Sequence, residues 1–384
     1  MQAIKTVRQN YNPSEEVLSL LEQFRRMIND SIRIGLNEHT TSLRSLSVKA
    51  YQQLRIYDVP SRYRLSAMSK ASGILRNYRK MIRKKLDVKI PYASRLTLAD
   101  YYDCRIQNGQ LRMLIGKKRY FFIPLTTHTQ AVISGYTVIS VTLTACTLSI
   151  SFSKETDVTE PTELIGIDRN LNNVTFATDK GKIRRFDLSE ATKIKATYRT
   201  VKSHLKRKDL RIRTRIYRKY GRKQRNRVNQ RLHLVSKQIV SEAKTNNQGI
   251  VMENLKGIRK LYRKGNGQGS EYRSRLNSWS FYELQRQIEY KAKWEGIPVF
   301  YVNPQKTSSV CAICGSPITE CIERKVWCGR CQKLVDRDEN AALNIVKRGV
   351  RFAPIGFACE AMVKEQAKAL ILTVDANKST LTKS

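Results

Sequence analysis

TSSVCAICGSPITECIERKVWCGRCQKLVDRDENAALNIV, residues 307–346, joins two chemical patterns end to end. The first is Cys311-x₂-Cys314 and Cys328-x₂-Cys331, with thirteen residues between the pairs. Each pair sets two thiolates on one side of a tight turn, and two such knuckles make a tetrahedral S₄ site suited to one closed, structural Zn²⁺. Two disulfides are the alternative, but they need an oxidising compartment, and no stretch resembles a secretory signal. The second pattern is Asp336-Arg337-Asp338-Glu339-Asn340, where the ribbon gives way to a helix whose Ala342, Ile345, Val346 and Gly349 share one face. Taken alone, an acid at such a helix start is more often a cap than a catalyst.

Two upstream segments change that reading. In ELIGIDRNLNNVTFATDKGKIRRF, residues 163–186, a strand over 164–168 ends on Asp168. A short turn, a second strand over 174–177 and a hairpin at Asp179-Lys180-Gly181 follow. In NNQGIVMENLKGI, residues 246–258, another apolar strand ends on Glu253. Two acids at strand ends and one at a helix start are what a two-metal phosphodiesterase requires. Mg²⁺ takes oxygen ligands and keeps several waters, and a pair of ions clamps the attacking and leaving oxygens.

Asp168 in GIDRNLNNVT, Glu253 in VMENL, the cysteine pairs after TSSVC, and DRDENAALNI occur in an order that resembles the TnpB (OrfB) proteins of insertion sequences. They are also similar to the compact type V CRISPR effectors. The resemblance spans roughly residues 160–350. It implies an α/β multidomain protein: a RuvC-like, RNase H fold nuclease with an inserted zinc ribbon, preceded by a small β-barrel (the wedge) that a helical recognition insert interrupts. Matched motif by motif, the catalytic triad is Asp168, Glu253 and Asp338, holding two Mg²⁺, with Asp336 as the alternative third acid. The turn after Asp168 is Arg169-Asn170-Leu171-Asn172-Asn173, where many relatives have a smaller turn containing glycine.

Composition points the same way. The chain has 384 residues, 72 Lys and Arg against 32 acids, and a net charge of +40. That excess repels itself unless a polyanion offsets it, and nucleic acid is the obvious partner. A membrane surface is a poorer fit, because the basic residues are spread along the chain and no run of eighteen apolar residues occurs. Cys104, Cys146, Cys321 and Cys359 have no regular spacing. Thiolates beside scattered free thiols suit a reducing cytoplasm, and the nucleic-acid partner suits association with the nucleoid.

Along the chain, residues 1–12 read as a strand and Ser14-Glu15-Glu16 as a helix start. Amphipathic helices follow over about 17–38, 41–56 and 62–86. Arg76, Arg79 and Lys80 lie on the basic face of the third, and bind phosphate or are simply solvated. Residues 87–158 are short β-rich runs, an antiparallel sheet or small barrel. The implied division is 1–13 with 88–158 as wedge, 14–87 as recognition insert, 159–302 with 334–350 as nuclease, 303–333 as zinc ribbon, and 351–384 as a partly disordered tail with a helix over about 359–372.

Residues 202–227 carry thirteen Lys or Arg against one acid. Lys206, Arg207, Lys208, Arg211, Arg213, Arg215, Arg218, Lys219, Arg222 and Lys223 are the candidate nucleic-acid contacts, continuing into a helix with a stripe of Val228, Leu232, Val235, Ile239 and Ala243. Gly265, Gly267 and Gly269 mark a loop that is either a lid or a surface excursion. Phe281, Leu284, Ile288 and Ala292 read as a helix face, 297–302 as a strand, and Trp279 and Trp294 as core.

The resemblance implies a transposon-encoded, RNA-guided DNA endonuclease. Its partners would be a guide RNA from the transposon end and double-stranded target DNA, cut beside a short adjacent motif. A guided binder that represses without cutting is the first alternative; all three triad acids are present, which counts against it. A DNA transposase or its accessory lacks a His-hydrophobic-His motif here. An RNA-associated zinc-ribbon protein leaves three ordered carboxylate motifs unexplained.

Overall fold

The computed structural model describes residues 2–101, 105–116, 119–204, 209–262 and 265–352. The chain divides into two compact units that meet in sequence between Glu155 and Thr156. The expected tail helix, Cys104, Cys359 and the candidate contacts Lys206, Arg207 and Lys208 lie outside the described residues.

The first unit opens on β1 (Gln2–Asn10) and continues through α1 (Glu15–Asn37), α2 (Leu43–Ala50) and α3 (Ser61–Arg83). Ser14 caps α1 by accepting from the Val17 amide at 3.3 Å, and Glu15 and Glu16 occupy its first turn. The second expected helix is shorter than its periodicity suggests: α2 stops at Ala50 and a 3₁₀ turn covers Gln53–Ile56.

Then come β2 (Thr97–Asp100), β3 (Arg105–Gln107), β4 (Gln110–Gly116), β5 (Arg119–Pro124), α4 (Thr127–Ile133), β6 (Thr137–Thr144) and β7 (Thr147–Glu155). These strands form two antiparallel sheets, ordered β1-β7-β6-β2 and β3-β4-β5, where a single barrel was one expectation. α4, too short for a periodic signal, was not anticipated.

The second unit is built on a five-stranded sheet. Its strands are β8 (Glu163–Arg169), β9 (Asn173–Thr178), β10 (Ile183–Asp187), β11 (Gln248–Glu253) and, later in the chain, β12 (Val299–Val302). The order is β10-β9-β8-β11-β12; β8, β9 and β10 are antiparallel neighbours, while β8, β11 and β12 run parallel.

Between β10 and β11 lie α5 (Ser189–Ser203) and α6 (Leu210–Thr245). Between β11 and β12 lie α7 (Ser270–Asn277) and α8 (Phe281–Trp294). The ribbon follows as β13 (Thr319–Glu320), β14 (Lys325–Cys328) and β15 (Lys333–Asp336), and α9 (Arg337–Phe352) closes the described chain. β14 pairs with β15 up to Lys325↔Asp336, so the ribbon sheet runs to the residue before α9, three beyond the expected boundary at 333.

Strand alternation sorts the sheet into two faces. Ile165, Ile167, Val174, Phe176, Ile250 and Met252 pack under α5, α6 and α8. Leu164, Val251, Phe300 and Val302 pack against Ile345 and Val346 of α9. Glycines let α9 sit close to the strands. A Cβ on Gly166 would come within 2.4 Å of Ala342 O and Val346 N, and one on Gly349 within 2.5 Å of Val251 Cγ2. Since Asp168 shares a parity with Leu164 and Gly166, and Glu253 with Gly249 and Val251, both acids are presented on the face that α9 covers.

α6 is a single 36-residue helix, about 54 Å long at 1.5 Å per residue. Its buried residues are all in the second half, beginning at Val228. In the first half Arg211, Arg213, Arg215, Arg218, Lys219, Arg222 and Lys223 are exposed, while Tyr220 packs partly against the core.

Candidate functional site

Asp168 at the end of β8, Glu253 at the end of β11 and Asp338 in the first turn of α9 line one cavity of about 580 Å³. They are 9%, 9% and 3% exposed, so three carboxyl groups are held together out of water. Burial first, and then the charges of Glu253 and Asp338, push the Asp168 carboxyl up to about 7. Burial also raises Glu253, against the pull of the Thr307 hydroxyl and the Arg169 guanidinium. Like charges in a low-dielectric site favour the protonated form, and such a set is relieved by a cation.

The alternative third acid lies elsewhere. Asp336 caps α9, accepting from the amides of Asp338 at 2.8 Å and Glu339 at 3.2 Å, and pairs with Arg185 at 2.6 Å. Burial pushes its carboxyl up, but Arg185 and those amides hold it below the ordinary range. Asp336 is the cap and Asp338 faces the cavity.

Several residues around the acids were not singled out as site residues by the sequence. Asn170 Nδ2 donates to Asp168 Oδ2 at 2.7 Å, and Asn173 Nδ2 to Asp338 Oδ2 at 3.3 Å, so the enlarged turn after Asp168 holds two of the acids. Thr307 Oγ1 donates to Glu253 Oε1 at 2.5 Å. Arg324, in the turn before β14, forms an ion pair with Asp338 and donates to Asn170 Oδ1 at 3.2 Å. On the opposite face of β8 the fully buried Arg169 donates to the Glu253 carbonyl at 2.5 Å and to Gln285 Oε1 at 2.7 Å, tying the ends of β8 and β11 to α8.

The cavity's outer wall comes from the segment after β11: Ile258, Tyr262, Tyr272, Arg275, Leu276 and Trp279. The glycine loop therefore belongs to a segment that borders the acids. Trp279, expected in the core, is half-buried at this wall, with its indole N–H 2.9 Å from Asn170 O. A lone tryptophan ahead of an amphipathic helix gives no sign of which side it faces. Trp294 is buried, as expected.

Cys311, Cys314, Cys328 and Cys331 come together. Their sulfurs all lie within 4.8 Å of one another, the group among the described residues whose ligand atoms do so, and one that could hold a zinc ion. The first knuckle closes through Gly315 N–H to Cys311 O at 2.9 Å and Cys311 N–H to Ser316 O at 2.8 Å, with Gly315 at φ +74°. The Ser316 hydroxyl and amide bring the Cys314 thiol down to about 6, while contact with Cys314 pushes Cys331 up to about 12. Thiols that share protons in this way fit a cation in their midst.

Arg76, Arg79 and Lys80 are exposed on the C-terminal half of α3. Arg211, Arg215, Arg218, Lys219 and Arg222 line one groove along α6. Among the described residues no helix is long and apolar enough to cross a membrane.

The second unit carries a recognisable signature. A family model described as the Cas12f1-like TNB domain matches residues 281–345. The TnpB-like protein MJ0751 of Methanocaldococcus jannaschii is 34% identical over 208 residues, which cover 52% of this chain and 73% of that protein. The chain belongs to the TnpB-like family. Cas12f2, a CRISPR-associated endodeoxyribonuclease of Micrarchaeota archaeon strain CG1_02_47_40, is 32% identical to this TnpB-like chain over 129 residues, 31% of this chain and 23% of that one. The fold is similar to that of Cas12f1 in its cryo-EM complex with sgRNA and target DNA, with a TM-score of 0.59, 15% identity, and coverage of 86% of this chain and 82% of that one.

Proposed function

We propose that this TnpB-like protein is an RNA-guided DNA endonuclease that hydrolyses phosphodiesters with two divalent ions. The observation that carries the proposal is the meeting of Asp168, Glu253 and Asp338 in one cavity, where burial, and then the charges of the other two, raise Asp168. Two Mg²⁺ at such a site supply Lewis acidity and an activated water. Asp168, Glu253 and Asp338 would hold the ions. Asn170, Asn173 and Thr307 orient the carboxylates, and Tyr262, Tyr272 and Trp279 would flank the reacting phosphate on the outer side of the cavity. The four cysteines would hold one Zn²⁺.

The five-stranded sheet, three antiparallel strands followed by two parallel ones, supports the RuvC-like assignment. The relative named as an endodeoxyribonuclease and the structural neighbour solved with sgRNA and target DNA support DNA as substrate and RNA as guide. Under this reading base pairing carries the sequence information, while the 2–155 unit, with its wedge and helical insert, reads a short motif beside the target. The guide would come from the end of the transposon that encodes the protein. The exposed half of α6 would grip the phosphates of the guide–target duplex.

The test is cleavage of a plasmid carrying a guide-matched target beside a randomised flank, using protein purified with its own RNA and Mg²⁺, with Asp168→Ala as control. Cuts that need both RNA and Asp168, with one flank enriched, are the expected result. Guided binding without cuts would replace the nuclease with a repressor, and neither binding nor cuts would sink both.

A further inference from the structure

The cysteine site and the acid cavity are joined by a short chain of side chains. Two asparagines one turn apart on α9, Asn340 and Asn344, are 3% and 8% exposed and direct their amides at the first cysteine knuckle. Asn340 Oδ1 accepts from the Ala312 amide at 2.8 Å, and its Nδ2 donates to Val310 O at 2.8 Å. Asn344 Nδ2 donates to Val310 O at 2.8 Å and to Thr307 O at 2.9 Å. Thr307, 3% exposed, is the residue whose hydroxyl meets Glu253. The path therefore runs from Cys311 through Val310, Asn344 and Thr307 to Glu253, with every polar step buried or half-buried. Lys347, a further turn along α9, donates to Ala312 O on the same knuckle.

We infer that Asn344, supported by Asn340, is a positioning residue that sets the divalent-ion affinity of the acid cavity by fixing Thr307 to the cysteine knuckle. This rests on the reading of Asp168, Glu253 and Asp338 as metal ligands. The physical basis is geometric. A carboxylate ligand binds tightly only when its orientation is held by a hydrogen bond that is itself held, and loss of such outer partners typically weakens a metal site by about 10–100-fold. Thr307 has few other restraints: it lies in the turn between β12 and the first cysteine, where its hydroxyl also approaches Pro304 O at 2.9 Å. Without the Asn344 amide, the Thr307 carbonyl would be buried without a donor and its segment would shift. The same anchor links the two metal sites, so the ribbon's fold is felt at Glu253.

A double-mutant cycle tests this on the full chain with zinc bound, reading Mn²⁺ affinity by electron paramagnetic resonance and zinc content in parallel. Asn344→Leu removes the donor at similar volume, and Thr307→Val removes the hydroxyl. Each is expected to keep one zinc per chain and to weaken Mn²⁺ binding at least tenfold, with the double variant little weaker than Thr307→Val alone, because both act on one path. Wild-type Mn²⁺ affinity in Asn344→Leu, or losses that multiply in full, would overturn the inference. If Asn344→Leu does not melt cooperatively, Asn344→Ala, which also removes the donor and asks for no extra apolar volume, replaces it in the cycle under the same criteria. Asp168→Asn separates the two levels: if it leaves Mn²⁺ binding intact, the acids are not the ligands and both readings fall. If it abolishes binding while Asn344→Leu does not, only the link fails.

Discussion

Arg324, in the turn between the two cysteine pairs, forms an ion pair with Asp338, the cavity acid on the first turn of α9. The contact spans fourteen residues of sequence and returns the ribbon onto the one acid it precedes. Arg324 stands at a backbone φ of +62° beside Glu323 at +59°, a conformation that side chains adopt only when the surroundings hold them there. The ribbon is thus part of the cavity's charge balance.

That pairing makes Arg324 a competitor for the cations the acids attract. Its side chain is 54% exposed and Asp338 only 3%, so water screens the pair from one side and it is worth about 1 kcal/mol, the upper end for exposed pairs. Arg324→Gln should therefore tighten Mg²⁺ or Mn²⁺ binding by up to about fivefold, and most at low salt, where the charge is least screened. Calorimetric titration checks this, and unchanged or weaker binding would mean that Arg324 aids rather than opposes the ions.

The raised Asp168 carboxyl has a defined signature in stability. Its folded value of about 7 lies above the ordinary 3.8, so between those values the folded state holds a proton that the unfolded state releases. Stability contributed by this group must then fall as pH rises from about 4 to about 7, and stay level above. Asp168→Asn mimics the protonated form and removes the dependence. In buffer free of added divalent ions, the variant's Tm advantage over wild type should grow from pH 5 to pH 7.5 and then flatten, reaching on the order of 5 °C. Millimolar Mg²⁺ at pH 8 should stabilise wild type and leave the variant nearly unmoved.

What could be read of this cavity from the sequence came from apolar runs that end on Asp168 and Glu253, from the helical stripe Ala342, Ile345, Val346 and Gly349 behind Asp338, and from the order of the motifs that carry the resemblance. That the two strand-end acids share the face covered by α9 follows from strand parity only once the sheet is known. The orienting groups were silent because they act across the fold. Asn173 reaches Asp338 over 165 residues and Thr307 reaches Glu253 over 54, and neither belongs to a repeating pattern. α6 was legible only where it has an apolar stripe. Its first half buries no side chain, so periodicity could not mark that half as helix.

Close packing of α9 on β8 gives a prediction that couples stability to the site. A methyl group on Gly166 would meet backbone atoms of Ala342 and Val346 at 2.4 Å, and backbone cannot swing aside as a side chain does. Gly166→Ala should cost about 1–3 kcal/mol or more and push α9 outward, carrying Asp338 with it, so Tm and divalent-ion affinity fall together. Gly73 in α3 has nothing within 4 Å of the added carbon. Gly73→Ala should instead add about 0.5–1 kcal/mol and leave ion binding alone. Melting curves and Mn²⁺ titrations on the two variants check both halves. A benign Gly166→Ala would mean that α9 is not held where the strands place it.

The exposed half of α6 separates a phosphate-gripping surface from a merely solvated one. Arg215, Arg218 and Arg222 lie on one groove and have no carboxylate partner among the described ion pairs, whereas Arg231, further along the same helix, is paired with Glu190. Each cation that neutralises a phosphate releases a condensed counterion, so the slope of log K against log salt reports the number of contacts. Replacing Arg215, Arg218 and Arg222 together by Gln should reduce the slope for RNA binding by about 2–3 and weaken binding evenly across sequences. Arg231→Gln, which removes a charge already balanced by Glu190, should leave the slope unchanged. Filter binding of the protein to its own RNA from 50 to 300 mM salt measures both. A triple variant with the wild-type slope would return this half-helix to the status of a charged surface, and the excess of +40 would need another outlet.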